Sequence, residues 1–416
     1  MAATGTRRDL SERLWHGDGA GAGGRAAAPH PLFGAVGMAL EEYRPGLSFV
    51  ASFGNVTALD TPDGLALIDV GGPMAAAHIH GAVRGWSQRA LRKVVYTHGH
   101  VDHVMGISAF AGEPGPAPHV IAHCDVPARF DRYKLTAGWN GAINARQFGL
   151  PGFTWPTDYR YPDEVYRDHL TLEFGGIRAE LHHARGETDD HTWVWLPDHK
   201  TVVTGDLFIW AVPNCGNPQK VQRYPREWAI ALRTMAALGA ELLLPGHGPP
   251  IEGAARVHQA LTETAALLES LHEQVLAQMN AGASLDTVLA EVRAPAALLE
   301  RPYLRPVYDD PTFIVRALWR LYGGWWDGDP AHLKPPGERA LAAEVASLAG
   351  GAGALIDRAL AVADSDLALA CQLAEWAHAA APGDAAIRKQ RAELYTRRAA
   401  GEPSLMAKAI FTAASR

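Results

Sequence analysis

Three histidines and an aspartate crowd into six residues, His98-Gly99-His100-Val101-Asp102-His103, directly after the β-branched and aromatic run Val94-Val95-Tyr96-Thr97. The run reads as a buried strand, and the abrupt change of character reads as the loop at its end. A strand that stops there delivers its next side chains to one sheet edge. His98 and His100, two apart, can turn to one cation; Asp102 and His103 open the following helix and can face a second. Imidazole nitrogen and carboxylate oxygen suit zinc, and also manganese or iron. Burying four such groups without a cation would leave several polar atoms unsatisfied in a low-dielectric interior.

The flanking sequence supplies the scaffold. From about residue 45 to 250, short β-rich runs alternate with helical stretches: SFVASF, NVTALD, LALIDV, LRKVVYT, HVIAH, LTLEFG, IRAELHHA, HTWVWLP, KTVVTGD and ELLLPGHG read as strands, and residues 153–166 as a long loop. After Pro250 the chain is Ala- and Leu-rich at helical spacing, starting with one long amphipathic helix that ends at a glycine. The expected organisation is a mobile arm over 1–30, an α/β domain over 31–254 and an all-helical domain over 255–416. The last helices read as helical-hairpin repeats.

Composition narrows the function classes. A length of 416 residues, 48% hydrophobic and 20% charged, fits a globular protein of two or three domains. A net charge of -7 gives no reason to expect a nucleic-acid partner. Cys124, Cys215 and Cys371 are far apart and form no CxxC pair, so reduced thiols and a cytoplasmic location are expected. The N-terminus has no apolar core of a secretory leader, and no run approaches the ~20 apolar residues of a membrane span.

The stretch THGHVDH resembles the HxHxDH signature of the metallo-β-lactamase superfamily. The resemblance implies an αββα sandwich with two divalent metal ions at one edge of its sheets, zinc being expected first. Asp69 in LALIDVGG matches the upstream aspartate that orients the metal loop. In Ala184-Arg185-Gly186-Glu187-Thr188, Glu187 stands where the superfamily usually has histidine, as it does in alkylsulfatases. Asp206 in TVVTGDLF matches the bridging carboxylate, and His247 in LLLPGHGPP the last histidine. The implied arrangement has His98, His100 and Glu187 on one ion, Asp102, His103 and His247 on the other, and Asp206 between them. Asp102 and Asp206 are the implied catalytic carboxylates, working on a hydroxide shared by the ions. His78 and His80 are expected on an exposed helix face; His182, His183, His191 and His199 are expected in structural roles.

Residues 301–336, RPYLRPVYDDPTFIVRALWRLYGGWWDGDPAHLKPP, resemble the opening of the alkylsulfatase dimerisation domain, and the trailing helices resemble its remainder. A homodimer is therefore expected. The segment YGGWWDGDPAHL is read as an ordered loop packed at an interface or over the site. Two features depart from the alkylsulfatases. The sequence is expected to lack their sterol-carrier-like domain, and residues 214–224 lack their Arg-Gly pair. The expected reaction is hydrolysis of an alkyl sulfate ester; the alternatives are a lactone, thioester or phosphoester on the same fold, or a helical scaffold with a structural metal site. For an anionic ester with an apolar chain, Arg146, Arg223, Lys220, Asn140 and Asn144 are the expected donors, and Phe153, Trp155, Phe208 and Trp210 the expected apolar lining.

Overall fold

Strands buried on both faces read as continuous apolar runs rather than alternating ones, and LALI and TVVTG are such runs. The structure, a computed structural model, describes residues 6–17, 30–33, 37 and 39–416. Its first sheet contains β1 (Glu41–Arg44), β2 (Leu47–Val50), β3 (Val56–Thr61), β4 (Gly64–Ile68), β5 (Leu91–Val95), β6 (His119–His123) and β7 (Glu164–Tyr166), ordered as numbered. β1 to β4 pair antiparallel and β4 to β7 parallel. The second contains β8 (His169–Phe174), β9 (Ile177–His183), β10 (Thr192–Leu196), β11 (Thr201–Gly205), β12 (Leu242–Pro245) and β13 (Ile251–Glu252), in the order β13-β12-β11-β10-β9-β8. β1, β7 and β13 were too short to stand out in the sequence, and β7 takes the end of the expected 153–166 loop.

The helices are α1 (Arg7–Trp15), α2 (Ala76–Trp86), α3 (Val101–Val104), α4 (Val126–Leu135), α5 (Ala137–Phe148), α6 (Pro225–Ala236), α7 (Ala254–Asn280), α8 (Leu285–Glu291), α9 (Ala296–Leu299), α10 (Pro311–Gly323), α11 (Pro330–Leu333), α12 (Glu338–Ala349), α13 (Ala352–Val362), α14 (Leu367–Ala380), α15 (Ala385–Ala400) and α16 (Leu405–Ala414). Three apolar clusters define the layers. Phe49, Ile68 and Val95 of the first sheet meet Leu181, Val194 and Leu244 of the second. The outer face of the first sheet packs on Ile79 and Val83 of α2 and Phe130 of α4. The outer face of the second packs on α6, α7 and α10 through Trp228, Leu268 and Leu318. This is the expected αββα sandwich, followed by a helical region.

The chain turns all-helical at Ala254, yet the hydrophobic core continues from Trp193 through Leu268 to Trp319. A separate helical core, with Ile356, Ala359, Ala370, Ala374 and Leu394, forms among α12 to α15. Two expectations are corrected. Within the expected arm, residues 7–15 form α1, capped by Thr6 and Asp9, which satisfy each other's backbone N–H groups at 3.1 and 2.9 Å. Leu10 anchors that helix in the inter-sheet core; residues 1–5 and 18–29 lie outside the described residues. The YGGWWDGDPAHL segment is ordered, Trp319 Nε1 of α10 donating to the Trp326 carbonyl at 2.9 Å and Trp326 Nε1 to that of Asp329 at 2.8 Å, but it lines no part of the site, which leaves the interface of its two expected placements, and Trp325 is 70% exposed.

Candidate metal centre

Every expected ligand lies just beyond the C-terminal end of a strand: His98 and His100 after β5, with Asp102 and His103 in α3; Glu187 after β9; Asp206 after β11; His247 after β12. Parallel β4, β5 and β6, and parallel β11 and β12, end at one edge, so residues far apart in sequence meet there. His98, His100, Glu187 and Asp206 form one group whose donor atoms all lie within 4.8 Å of each other; Asp102, His103 and His247 form a second. The groups join through Asp206: its Oδ1 is 3.2 Å from His103 Nε2, and its Oδ2 is 3.2 Å from His247 Nε2 and 3.7 Å from His98 Nε2. The structure thus brings all seven residues together, with Asp206 in the middle.

The supporting hydrogen bonds aim these donors inward. Asp69 Oδ2 accepts from His103 Nδ1 at 2.8 Å, which turns Nε2 toward Asp206. The same carboxylate accepts the Thr97 backbone N–H and hydroxyl, both at 2.7 Å, pinning the strand end. Sequence inspection passed over several further groups and expected only a structural role of His191. Asp190 Oδ2 accepts from Gly99 N at 3.0 Å and from Arg129 Nε at 2.7 Å, fixing the turn between His98 and His100. His191 Nε2 accepts from Asp206 N at 3.1 Å while its ring stacks on His98 at 4.8 Å. Asn55 Nδ2 donates to the Pro245 and Gly248 carbonyls, both at 2.9 Å, holding the His247 loop. Asn214 Nδ2 donates to Glu187 Oε1 at 2.5 Å. The adjacent acids in GETDDH were the one available signal for Asp190.

The electrostatics follow from burial beside mixed charges. Burial, then neighbouring cationic groups, holds His98 and His100 well below the usual imidazole range. Burial also works against the charged form of His103, but Asp206, Asp69 and Asp102 outweigh it and carry its pKa well above that range. Burial pushes Glu187 up to about 8 against the opposing pull of Arg223. Among the described residues, His103 Nε2, Asp206 Oδ1 and Glu187 Oε2 are buried without a good hydrogen bond. Such orphaned polar atoms are costly in a dry site, and a nitrogen and two carboxylate oxygens buried together at one centre fit divalent cations. Gly246 borders that space so closely that a Cβ there would fall 2.1 Å from Asp206 Oδ1.

A pocket opens beside the centre. Asp102, Asn140, Asn144, Gln147, Asn214, Asn217, Lys220 and Arg223 line its polar side. Phe53, Phe148, Trp155, Ile209 and Tyr308 supply apolar surface. Asn140, Asn144 and Gln147 sit at helical spacing on the inner face of α5, so Gln147 joins the two expected asparagines. Lys220 forms no hydrogen bond or ion pair through its ammonium among the described residues, and burial lowers its pKa to about 8.

Several expected contacts are corrected. Arg146 lies on the exposed side of α5 and donates to Gln219 Oε1 at 2.7 Å, away from the pocket. Arg223 does line the pocket, but it is buried and its guanidinium is already held by Glu187 and the Asn214 carbonyl. Phe208 and Trp210 are core residues; Trp155 does line the pocket, with Phe153 edge-on to it at 4.6 Å. His78 is exposed as expected, but His80 is half-buried and pairs with Glu113 at 2.8 Å.

The sequence matches the profile of the metallo-beta-lactamase superfamily over residues 50–247 and that of the alkyl sulfatase dimerisation family over residues 284–416. A linear primary-alkylsulfatase of a Pseudomonas strain is 25% identical over 68% of this chain and 58% of its own. An (R)-specific secondary-alkylsulfatase of Pseudomonas is 24% identical over 68% of this chain and 47% of its own. The chain therefore spans about half the length of these curated relatives. Among solved structures, a stereoselective inverting sec-alkylsulfatase from Pseudomonas superposes with a TM-score of 0.80 and 22% identity, covering 90% of this chain and 64% of that one, a likeness of fold.

Proposed function

We propose that this chain, which joins a metallo-beta-lactamase superfamily domain to an alkylsulfatase dimerisation region, is a dinuclear-metal hydrolase that cleaves an alkyl sulfate ester. One observation carries the reading: seven donor side chains converge beside a pocket with an amide-and-ammonium side and an aromatic side. His98, His100 and Glu187 would hold one ion, Asp102, His103 and His247 the second, and Asp206 both. Zinc fits the donor set first, with manganese or iron as alternatives. When bound, such ions lower the pKa of water to about 7 and polarise the ester.

The chain's own groups do the rest. Asp69 and His191 fix the directions of His103 and Asp206. Asp102, whose carboxylate borders the pocket, is placed to take the proton a water gives up as it attacks. The Lys220 ammonium, with the Asn140 and Asn144 amides, meets the anionic head, while Trp155, Phe53 and Phe148 meet the alkyl chain. A structural metal site is normally closed by four protein ligands; an adjoining lined pocket favours a working one. In the homodimer, the exposed apolar residues Leu341, Leu348, Leu360 and Leu369 of the helical region provide contact surface.

A second reading, hydrolysis of a lactone, thioester or phosphoester at the same centre, draws on one observation: Arg223 is neutralised by Glu187, leaving Lys220, among the described residues, as the pocket's unpaired cation. A panel of primary and secondary alkyl sulfates, lactones, thioesters and phosphoesters, assayed with zinc- or manganese-loaded protein, separates the two. Sulfate release from alkyl sulfates, lost in Asp206→Ala, is the expected result. Turnover of another ester with no sulfate release refutes the sulfatase reading.

A further inference from the structure

A second set of metal-ligating side chains lies on the edge hairpin of the second sheet and shares no residue with the centre described above. The register of β8 and β9 puts His169 directly opposite His182. Directly opposed residues project from the same face with Cβ atoms about 4.5–5.5 Å apart. Glu180, two positions before His182 on β9, shares that face because side chains alternate along a strand. The two imidazole centroids are 4.7 Å apart, and His182 Nε2 is 3.7 Å from Glu180 Oε2. One donor atom from each of the three lies within 4.8 Å of the others. Donors around a single ion at about 2.1 Å can stand no more than about 4.2 Å apart, so a small side-chain rotation closes the set.

The neighbours favour binding. On the other side of β9, Trp193 of β10 is in register with His182, and its indole stacks on the imidazole at 4.1 Å and 13°. Trp193 is buried in the core, so the ring it backs is held in place. Burial, then the nearby His169, lowers the pKa of His182, which keeps a lone pair free for a cation. Asp168 and Glu227 border the hollow beside His182 and add negative charge. Two cations oppose it: Arg185, which borders the same hollow, and Arg178, half-exposed and paired with Glu180 Oε1 at 2.7 Å, which leaves Oε2 turned toward His182.

We propose that His169, Glu180 and His182 bind one divalent transition-metal ion of imidazole preference, in addition to whatever the main centre holds. Copper(II) is the tightest probe for such a donor set. Full-length protein already loaded with its centre ions is titrated with copper(II). Bound metals are then counted by mass spectrometry, and indole fluorescence and the copper electron-paramagnetic-resonance spectrum are recorded. The expected result is one copper per chain added to an unchanged centre content, with nitrogen ligands and quenching of Trp193. His169→Ala removes an exposed side chain and spares the core; it and Glu180→Gln are each expected to weaken copper binding about tenfold or more, with ester turnover unchanged. Arg178→Ala is expected to tighten it. The proposal is overturned if copper only displaces the centre ions, or if His169→Ala binds copper as the unaltered protein does.

Discussion

Asp69 adopts a φ of +59°, the left-handed region where a residue with a Cβ is strained by roughly 1–3 kcal/mol. Aspartate and asparagine tolerate it best, because their short polar side chains bond locally. Here the bonds run to Thr97 and His103, so backbone strain and ligand aim are coupled in one residue. Asp69→Asn keeps the tolerated backbone and removes the charge. It should lower affinity for the centre metal about 10–100-fold, the usual cost of disturbing a ligand's hydrogen-bond partner. Competition with a chelator measures this, and unaltered retention would show that Asp69 only shapes the turn. Asp309 makes a different residue-scale prediction. Its carboxyl is fully buried, accepts backbone N–H groups from Gly216 and Asp310 at 2.7 and 2.9 Å, and burial pushes its pKa up to about 7. The folded chain then keeps a proton that the unfolded chain has released. That contribution to stability is fully present below the unfolded value, near 3.8, and is lost as pH rises through about 7. Relative to Asp309→Asn, the protein should lose thermal stability between those two pH values; parallel melting curves would contradict the assignment.

At the scale of the element, α5 shows how a helix sorts similar residues by face. Asn140, Asn144 and Gln147 recur at spacings of four and three and look into the pocket, while Arg146, one residue from Gln147, looks out. Asn144→Asp would set a carboxylate against an anionic ester and leave Asn140 Oδ1 without the 2.9 Å bond it accepts from Asn144 Nδ2. It should lower kcat/KM for an alkyl sulfate about 10–100-fold. Arg146→Ala should leave kcat/KM within about twofold, as an exposed contact warrants. Steady-state kinetics on the pair checks both, and a large loss from Arg146→Ala would mean that the pocket extends beyond α5. What assigned Arg146 to the site in the sequence was its charge, and the phase of the helix overrules it.

On the scale of the whole molecule, the helical region is more than an appendage. α16 packs along α5, Met406 is buried against Asn217 at 3.0 Å, and Tyr308 hydrogen-bonds Gln147 at 3.0 Å, so residues beyond 300 complete the pocket wall. The same region exposes Leu348 to 82% on α12. In the proposed dimer that surface is covered. Leu348→Glu should therefore shift the mass by light scattering from dimer toward monomer at micromolar concentration; a mass unaffected by the charge would place the contact elsewhere.

The sequence by itself determined the alternation of strands and helices, the helical region and the cluster from His98 to His103, each from a local pattern: an apolar run ending in polar residues at a strand end, or Ala and Leu at helical spacing. The sandwich and the donors Glu187, Asp206 and His247 came only through the resemblance to the metallo-β-lactamase superfamily. It could not determine which charges were already matched. Arg223 and Glu187 are 36 residues apart, and only the fold brings them into contact, so the sequence offered Arg223 as a free donor. Nor could it distinguish Trp155 in the pocket wall from Phe208 and Trp210 in the core, since all three are large aromatics beside turns. Periodicity records the face a residue occupies on its own element. Which faces meet, and which side chains neutralise one another there, is decided by packing between elements distant in the chain.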